Sequence, residues 1–375
     1  MRILHTNMLR GWGGQSNRIL TEAVGTARAG HEVAFAVPEI SPLHRKGQEA
    51  GLTCFEGYEF RPPAQLWHFV PDLKRFMADI RRFKPDIIHL HGSQDTWLAM
   101  TARRLMRGRF PLTIRTKHNT WVWKPHTLNK SLYQAIDAYV SISIYTDRQI
   151  ASFPGLGRKP RMLIRSVPDI PRFDQQTTSI RHEWPQITPD MFVWGVTCRL
   201  RREKALDVLL KAFAEVRKQR PHAHLISAGD GSERANLEAQ ARLLNLGPEA
   251  LTFLGFRKDI PAILKSIDAY VLPSREEGLG TSILEALTAG LPVVSTNTGG
   301  IPDSVRHEET GLLVEPENPD ALAAAMVRLM DDRELGRRLS ENGQRMIREE
   351  FTQERLVEDT LRFYQQVLGA GPASP

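Results

Sequence analysis

The chain has 375 residues, of which 41% are hydrophobic and 25% are charged. This composition excludes a disordered or fibrous protein, and the length exceeds what one hydrophobic core usually organises, so two α/β domains with a cleft between them are expected. Cys54 and Cys198 lie far apart without a Cys-x-x-Cys or Cys/His cluster, so neither a disulfide framework nor a structural zinc site is indicated.

The net charge of +7 is distributed unevenly. Residues 1–187 hold 27 Lys and Arg against 15 Asp and Glu, whereas the remainder holds 23 against 28. A basic amino-terminal half can attract anionic lipid headgroups, phosphorylated carriers or nucleic acid. A solvated surface without a partner is the alternative. Because no nucleic-acid-binding motif accompanies the charges, no nucleic-acid partner is expected.

The first half opens with a short strand pattern over residues 2–5, a Gly-rich turn over 10–15 and a helical pattern over 16–29. The opening strand is unlike a signal peptide, and no apolar run approaches the ~20 residues that span a bilayer, so the protein is expected in the cytoplasm. Helical patterns separate the further strand patterns, as in a parallel sheet. These strands are predicted at 33–37, 87–90, 112–116 and 138–142. Residues 1–165 should form one Rossmann-like, doubly wound domain.

The second half repeats this rhythm. Two prolines and no helical period between Ile164 and Phe173 indicate a crossing between domains, and we place the linker at 166–189. Residues 190–350 should form a second Rossmann-like domain, with strands at 192–197, 225–228, 251–254, 269–272 and 292–295. Residues 351–375 should hold a last helix, over 353–368, that returns toward the first domain, and a frayed tail over Gly369–Pro375.

The most informative segment runs from Pro273 to Val294 and reads Pro-Ser-Arg-Glu-Glu-Gly-Leu-Gly-Thr-Ser-Ile-Leu-Glu-Ala-Leu-Thr-Ala-Gly-Leu-Pro-Val-Val. Its glycines let the backbone approach a ligand closely, and Thr281 suits a helix start whose free amides favour a phosphate. Glu277 lies before this loop and Glu285 on the helix. Since carboxylates accept hydrogen bonds from diols, the pair suits a ligand with hydroxyl groups on both sides of a diphosphate.

Two cations and several aromatic or imidazole side chains follow other strands. Arg199 and Lys204 are five residues apart after one strand, a spacing that can bring both over one loop toward a diphosphate. His118 is a candidate acceptor contact. Trp121 and Trp123, near several lysines, could form an interfacial or acceptor-stacking patch, or simply pack locally. The turn around Gly13 and Gly14 does not complete G-x-G-x-x-G, which disfavours a dinucleotide oxidoreductase.

The Pro273–Val294 segment resembles retaining glycosyltransferase family 4, which has the GT-B fold of two Rossmann-like domains facing across a cleft. The resemblance extends over most of the chain through Gly13–Gly14, Asp86–Gly92, Arg199 with Lys204, Ala228–Gly231, Phe253–Gly255 and Thr298–Pro302. It departs from the family where Cys198 and Ala205 replace the usual glycines.

The resemblance implies roles for individual residues. Glu277 would contact the donor sugar and Glu285 the ribose, while Arg199 and Lys204 would stabilise the leaving diphosphate and His91 would lie near the reacting sugar. The rest of the donor site would comprise Gly14, Gly255, Phe256, Gly278, Leu279, Gly280 and Thr281, with backbone groups near Gly255 and Phe256 reading the base. Apart from the resemblance, the positions of His118 and Trp121 after a strand make them the candidate acceptor contacts.

The expected activity is a retaining transfer from a nucleotide-sugar to a carbohydrate or lipid-linked acceptor, in lipopolysaccharide, exopolysaccharide or other envelope glycan synthesis. No cofactor is expected, because the nucleotide-sugar is a substrate, and no metal, because no Asp-x-Asp follows a strand. The basic first domain favours peripheral contact with the inner face of the cytoplasmic membrane. A nucleotide-sugar epimerase or phosphorylase on the same fold, and a non-catalytic sugar-nucleotide-binding subunit, are the alternatives.

Overall fold

The computed structural model describes residues 1–176 and 178–370. The chain forms two compact units: Met1–Ser166 together with the segment from Gln353 onward, and Val167–Thr352. Each unit is built on one parallel sheet with helices between consecutive strands.

The first unit contains a seven-stranded sheet of order β3-β2-β1-β4-β5-β6-β7. Its strands are β1 (Arg2–Thr6), β2 (Glu32–Ala36), β3 (Thr53–Phe55), β4 (Ile87–Leu90), β5 (Leu112–Lys117), β6 (Ala138–Ser141) and β7 (Arg161–Leu163). The helices between them are α1 (Gly14–Arg28), α2 (Pro42–Glu49), α3 (Leu66–Phe83), α4 (Ser93–Leu105), α5 (Thr127–Gln134) and α6 (Ile144–Ser152). Helix α1 begins at Gly14 rather than at the predicted Ser16, so the Gly-rich turn ends at Gly13.

The main core of this unit lies where α3, α4, α5 and α6 pack. Helix α3 buries an apolar stripe at alternating spacings of three and four residues, which is the period of one helix face. The stripe comprises Phe69, Leu73, Phe76, Ile80 and Phe83. Full burial of each such side chain stabilises the fold by roughly 1.5–3 kcal/mol. The central strands are thereby held in place, and with them the loops at their carboxyl ends.

The second unit contains a six-stranded sheet of order β10-β9-β8-β11-β12-β13. Its elements in chain order are α7 (Ile170–Asp174), β8 (Phe192–Thr197), α8 (Leu206–Gln219), β9 (Ala223–Ala228), α9 (Arg234–Leu243), β10 (Leu251–Gly255), α10 (Ile260–Leu264), β11 (Ala269–Leu272), α11 (Thr281–Thr288), β12 (Val293–Thr296), β13 (Leu312–Val314), α12 (Pro319–Asp331) and α13 (Arg333–Glu350). The segment predicted as a linker therefore holds α7 and falls almost wholly in this unit.

The last helix, α14 (Gln353–Ala370), belongs to the first unit and packs on α1. Val357 fills the space beside Gly25, where an added Cβ would lie 2.2 Å from the Val357 Cγ2 atom. The helix includes Gly369 and Ala370, and the rest of the predicted tail, residues 371–375, lies outside the described residues. None of the helices described combines the length and apolar character required to cross a membrane.

Candidate active site

In the second unit, the loops that follow β8 and β9 approach each other through glycines. Gly229 has φ +148°, and an added Cβ would lie 1.8 Å from the Cys198 carbonyl oxygen. A Cβ on Gly231 would lie 2.3 Å from the Leu200 carbonyl oxygen. Any side chain at either glycine would force these loops apart, which gives the Ala228–Gly231 motif its physical basis.

Arg275 ties the loop after β11 to the loop after β8. Its backbone amide donates to the Glu203 carbonyl at 2.9 Å, and its guanidinium donates to the Arg202 carbonyl at 2.7 Å. The same guanidinium forms a two-pronged pair with Asp207 at 2.7 and 2.8 Å. The 3-10 helix Arg202–Lys204 is thereby held beside the start of the Gly-rich loop.

The backbone of Glu277 is fixed by the Thr298–Pro302 segment. The amide of Gly300 donates to the Glu277 carbonyl at 2.8 Å. Gly299 has φ +55°, and a Cβ there would lie 2.2 Å from that same carbonyl oxygen. The paired glycines of this motif therefore support Glu277 from behind rather than forming a separate ligand loop.

The Lys204 ammonium donates to the Glu277 carboxylate, and each side chain is only 15% exposed. Burial by itself disfavours the charge on Lys204, yet Glu277 holds the pKa of this ammonium above its ordinary value. The two residues that sequence reasoning assigned to leaving group and donor sugar are thus in direct contact. Arg199 is exposed on the same loop and makes no ion pair with a described residue.

Helix α11 begins at the far end of the Gly-rich loop. Its N-cap is Gly280 at φ +83°, and no side chain caps it. The Gly280 carbonyl accepts the Ile283 amide at 2.9 Å, whereas the amides of Thr281 and Ser282 are left for a ligand. Gly278 and Leu279 are buried, and the Leu279 carbonyl accepts a hydrogen bond from the Ser304 hydroxyl. Thr281 opens the helix as predicted. A helix start beside an ammonium is a suitable place for a phosphate.

Glu285 lies one turn into α11 and is half-buried. Burial raises the pKa of this carboxyl to about 7, with Arg172 opposing the rise and Asp169 adding to it. No hydrogen bond from a described residue reaches its carboxylate. The group is therefore a free acceptor, and its charge changes near neutral pH.

Gly255 ends β10 at the edge of the sheet, and Phe256 follows it. Gly255 has φ +68°, and its carbonyl accepts a hydrogen bond from the Gly229 amide at 2.8 Å. Phe256 is 71% exposed. The predicted base-reading residues therefore join the phosphate loops through Gly229, and Phe256 offers an aromatic face to solvent.

In the first unit, polar groups gather after β1, β4 and β5, which are adjacent in the sheet. The Gln15 amide donates to the Asn7 side chain at 3.2 Å and to the His91 carbonyl at 2.8 Å. Gly14 is exposed beside Gln15 at the start of α1. The carboxylate of Asp95 accepts the backbone amide of His91 at 2.9 Å, which fixes that residue at the start of α4.

Both ring nitrogens of His91 are engaged by other histidines. Its Nε2 lies 3.1 Å from His5 Nδ1, and its Nδ1 lies 2.9 Å from His118 Nε2. Burial, with neighbouring histidines adding to it, holds the pKa of His91 well below its ordinary value. Burial and the nearby Arg18 do the same to the pKa of His118. The imidazoles are therefore neutral at physiological pH.

A second set of buried polar side chains surrounds the neighbouring His89. Tyr364 donates to Glu22 at 3.1 Å, and His89 lies 2.6 Å from the Tyr364 hydroxyl and 2.6 Å from Thr116. Burial alone would raise the pKa of Glu22, but His89 and Arg18 hold it below its usual range. Sequence reasoning missed this group. The available signal was Arg18 and Glu22, two charges one turn apart on the buried face of α1.

His5, His89 and His91 have ring nitrogens within 4.8 Å of one another, a grouping that could hold a metal ion. Here, however, both nitrogens of His89 and of His91 already have hydrogen-bond partners. Arg18 also places a permanent cation in the same cluster. This donor set is arranged for hydrogen bonding, and catalysis without metal stays a prediction.

The two tryptophans after β5 differ in their surroundings. Trp121 is 72% exposed, and its carbonyl accepts a hydrogen bond from the Lys117 ammonium at 2.8 Å. Trp123 stacks on Tyr133 with ring centroids 4.4 Å apart, and Lys117 lies 4.6 Å from the Trp123 ring centre. Trp123 is therefore a packing residue, while Trp121 remains available to a ligand.

The chain is similar to known glycosyltransferases in both of its halves. Residues 186–346 match the model of the glycosyl transferases group 1, and residues 12–164 match that of glycosyltransferase family 4. The chain is 31% identical, over 92% of both sequences, to an uncharacterized glycosyltransferase of Methanocaldococcus jannaschii.

Two further proteins are similar over different extents. The lipopolysaccharide core biosynthesis glycosyltransferase LpsE of Rhizobium meliloti is 32% identical over 46% of this chain and 48% of its own length. The solved structure of Anabaena HepE, in complex with UDP and glucose, superposes with a TM-score of 0.80 at 20% identity, covering 98% of this chain and 100% of that one. At that identity the likeness concerns the fold.

Proposed function

Because the chain belongs to glycosyltransferase family 4 and has the GT-B fold, we propose that it transfers a sugar, with retention of configuration and without a metal, from a nucleotide-sugar to a carbohydrate or lipid-linked acceptor. The observation that carries the proposal is the Lys204–Glu277 pair beside the uncapped start of α11, with Glu285 one turn further on. This arrangement provides a cation and free amides for a diphosphate, flanked by two carboxylates for hydroxyl groups.

Each group has a part in the proposed reaction. As the glycosidic bond breaks, negative charge grows on the leaving diphosphate, and fixed donors such as Lys204, Arg199 and the first amides of α11 stabilise it. Glu277 accepts hydrogen bonds from the transferred sugar, and Glu285 from the ribose. In front-side attack the departing phosphate takes the acceptor proton, so no separate base is needed.

Two similar proteins support the substrate classes. The Anabaena structure contains UDP and glucose, which supports a nucleotide-sugar donor. The Rhizobium relative acts in lipopolysaccharide core biosynthesis, which supports an envelope glycan as acceptor. A peripheral membrane contact is supported by the basic first half and by the exposed Trp121.

A thermal-shift panel of nucleotide-sugars tests the donor, since a ligand at 100 times its Kd stabilises by about 2.7 kcal/mol. Transfer of radiolabelled sugar to octyl glycosides then tests the reaction. Lys204→Met should abolish transfer, and Lys218→Met, which removes an exposed paired lysine of the same unit, is the matched control. Acceptor-independent turnover would favour the epimerase or phosphorylase, and binding without turnover the non-catalytic subunit.

A further inference from the structure

Three imidazoles of the first unit form one hydrogen-bonded series. His5 Nδ1 lies 3.1 Å from His91 Nε2, and His91 Nδ1 lies 2.9 Å from His118 Nε2. A neutral imidazole has one N–H donor and one acceptor nitrogen. His91 therefore donates to one neighbour and accepts from the other, so the tautomers of all three rings are coupled.

The two ends of the series differ. At the inner end, His5 is fully buried and its Nε2 has no hydrogen-bond partner among the described residues. At the outer end, His118 is partly exposed, and no described residue bonds its Nδ1. Buried N–H groups without an acceptor are rare in proteins, and buried unpaired acceptors are less so. The His5 proton therefore belongs on Nδ1, where it is donated to His91.

This inner constraint determines the rest of the series. With its Nε2 accepting from His5, His91 must donate from Nδ1 to His118 Nε2. His118 must then carry its own proton on Nδ1, which is the nitrogen that faces outward. His91 has no ring nitrogen left for a substrate.

We propose that His5 is a positioning residue that, acting through His91, makes His118 a hydrogen-bond donor toward an oxygen of the acceptor. The link to an acceptor rests on the proposed function, whereas the tautomer of each ring does not. A metal held by His5, His89 and His91 is incompatible with this arrangement, because it would require a ring nitrogen of His91, and both of these form the series.

The direct test is nitrogen-15 NMR of the full chain labelled at histidine, without ligand. Two-bond proton–nitrogen correlations distinguish Nδ1–H from Nε2–H, and His5→Asn, His91→Gln and His118→Gln assign the signals. All three rings should carry the proton on Nδ1. An Nε2–H tautomer at any of them, or loss of the signals on adding zinc at stoichiometric concentration, would overturn the proposal.

A variant connects the tautomer to turnover. His5→Met replaces the donor with a thioether that can only accept, so His91 is free to donate from Nε2 and His118 should populate both tautomers. KM for the octyl glycoside acceptor should then rise by up to about tenfold, the loss expected for one hydrogen bond. The affinity for a free nucleoside diphosphate should be unchanged. His5→Asn, whose amide can donate in place of Nδ1, should restore KM.

His224→Met is the matched control, because His224 is a buried histidine of the other unit with both nitrogens bonded. It should leave the His118 signals and acceptor KM unchanged. An unchanged KM in His5→Met despite mixed tautomers would refute the positioning role. Absence of transfer in the wild type, with all three rings protonated at Nδ1, would instead refute only the proposed function.

Discussion

Replacing Glu277 by Ala should have opposite effects on nucleotide binding and on transfer. In the structure the Glu277 carboxylate accepts a hydrogen bond from the Lys204 ammonium, and both side chains are largely buried. A diphosphate that recruits Lys204 must compete with this carboxylate. Wild-type affinity for the bare nucleoside diphosphate therefore includes the cost of breaking a charged hydrogen bond, about 1.5–3 kcal/mol.

Without Glu277 this cost disappears. Affinity for the free diphosphate should rise roughly ten- to hundredfold, because about 1.4 kcal/mol corresponds to a factor of ten. Transfer should nevertheless slow, and discrimination among donor sugars should weaken, because the proposed contact with the transferred sugar is lost. The free energy of unfolding should also fall, since an unpaired ammonium remains partly buried.

Isothermal titration calorimetry with the bare diphosphate measures the first effect, and the radiolabel assay measures the second. Glu238→Ala is the matched control, because it removes an Arg-paired carboxylate from α9 and should change neither. Glu285→Ala should instead weaken the bare diphosphate. If Glu277→Ala weakened it equally, the assigned donor orientation would be wrong, and unchanged affinity would mean that phosphate binding leaves the ion pair intact.

Three further predictions concern pH, backbone strain and metal. The pKa of Glu285 is raised from 4.5 to about 7, so its contribution to the free energy of unfolding should fall as pH rises from about 4.5 to about 7. The affinity for the diphosphate should rise over the same pH range. Glu285→Gln should remove both trends in calorimetric titrations across that range, and identical pH profiles for the two proteins would contradict the assignment. Ala205 is buried and has a left-handed backbone with φ +53°. Ala205→Val should lower the free energy of unfolding in urea by at least about 2 kcal/mol, because it adds left-handed strain and overpacks the site, whereas Ala205→Gly should lie within about 1 kcal/mol of wild type. A valine variant as stable as wild type would refute this backbone geometry. EDTA should leave sugar transfer largely intact, and activity lost to chelation but restored by manganese would overturn the metal-free mechanism.

The liposome interaction gives a separate prediction about the first unit. The chain should float with vesicles containing anionic lipid at low salt and dissociate as salt screens the charges. Trp121→Ala should weaken flotation, because Trp121 is 72% exposed after β5, whereas Trp123→Ala should chiefly lower stability. Absence of flotation even at low salt would favour a soluble acceptor.

Features that depend on local spacing along the chain were predictable from the sequence. Central strands appear as continuous apolar runs because both faces are covered, and the predicted strands at 87–90 and 192–197 match β4 and β8 to the residue. The Gly-rich loop and the start of α11 at Thr281 follow from local rules for turns and helix caps. The strands that were missed, β3, β7 and β13, are three-residue edge strands, which pair on one side only and leave little pattern.

Which side chains meet in space could not be predicted from the sequence. Lys204 and Glu277 are 73 residues apart, His5 and His91 are 86, and Glu22 and Tyr364 are 342. Periodicity along the chain carries no information about such separations. The contacts depend on sheet order, which places β4 between β1 and β5 so that their carboxyl-end histidines bond to one another. Because of that order, both ring nitrogens of His91 are hydrogen-bonded to other histidines. The proposed hydrogen-bond donor toward the acceptor is therefore His118 rather than His91.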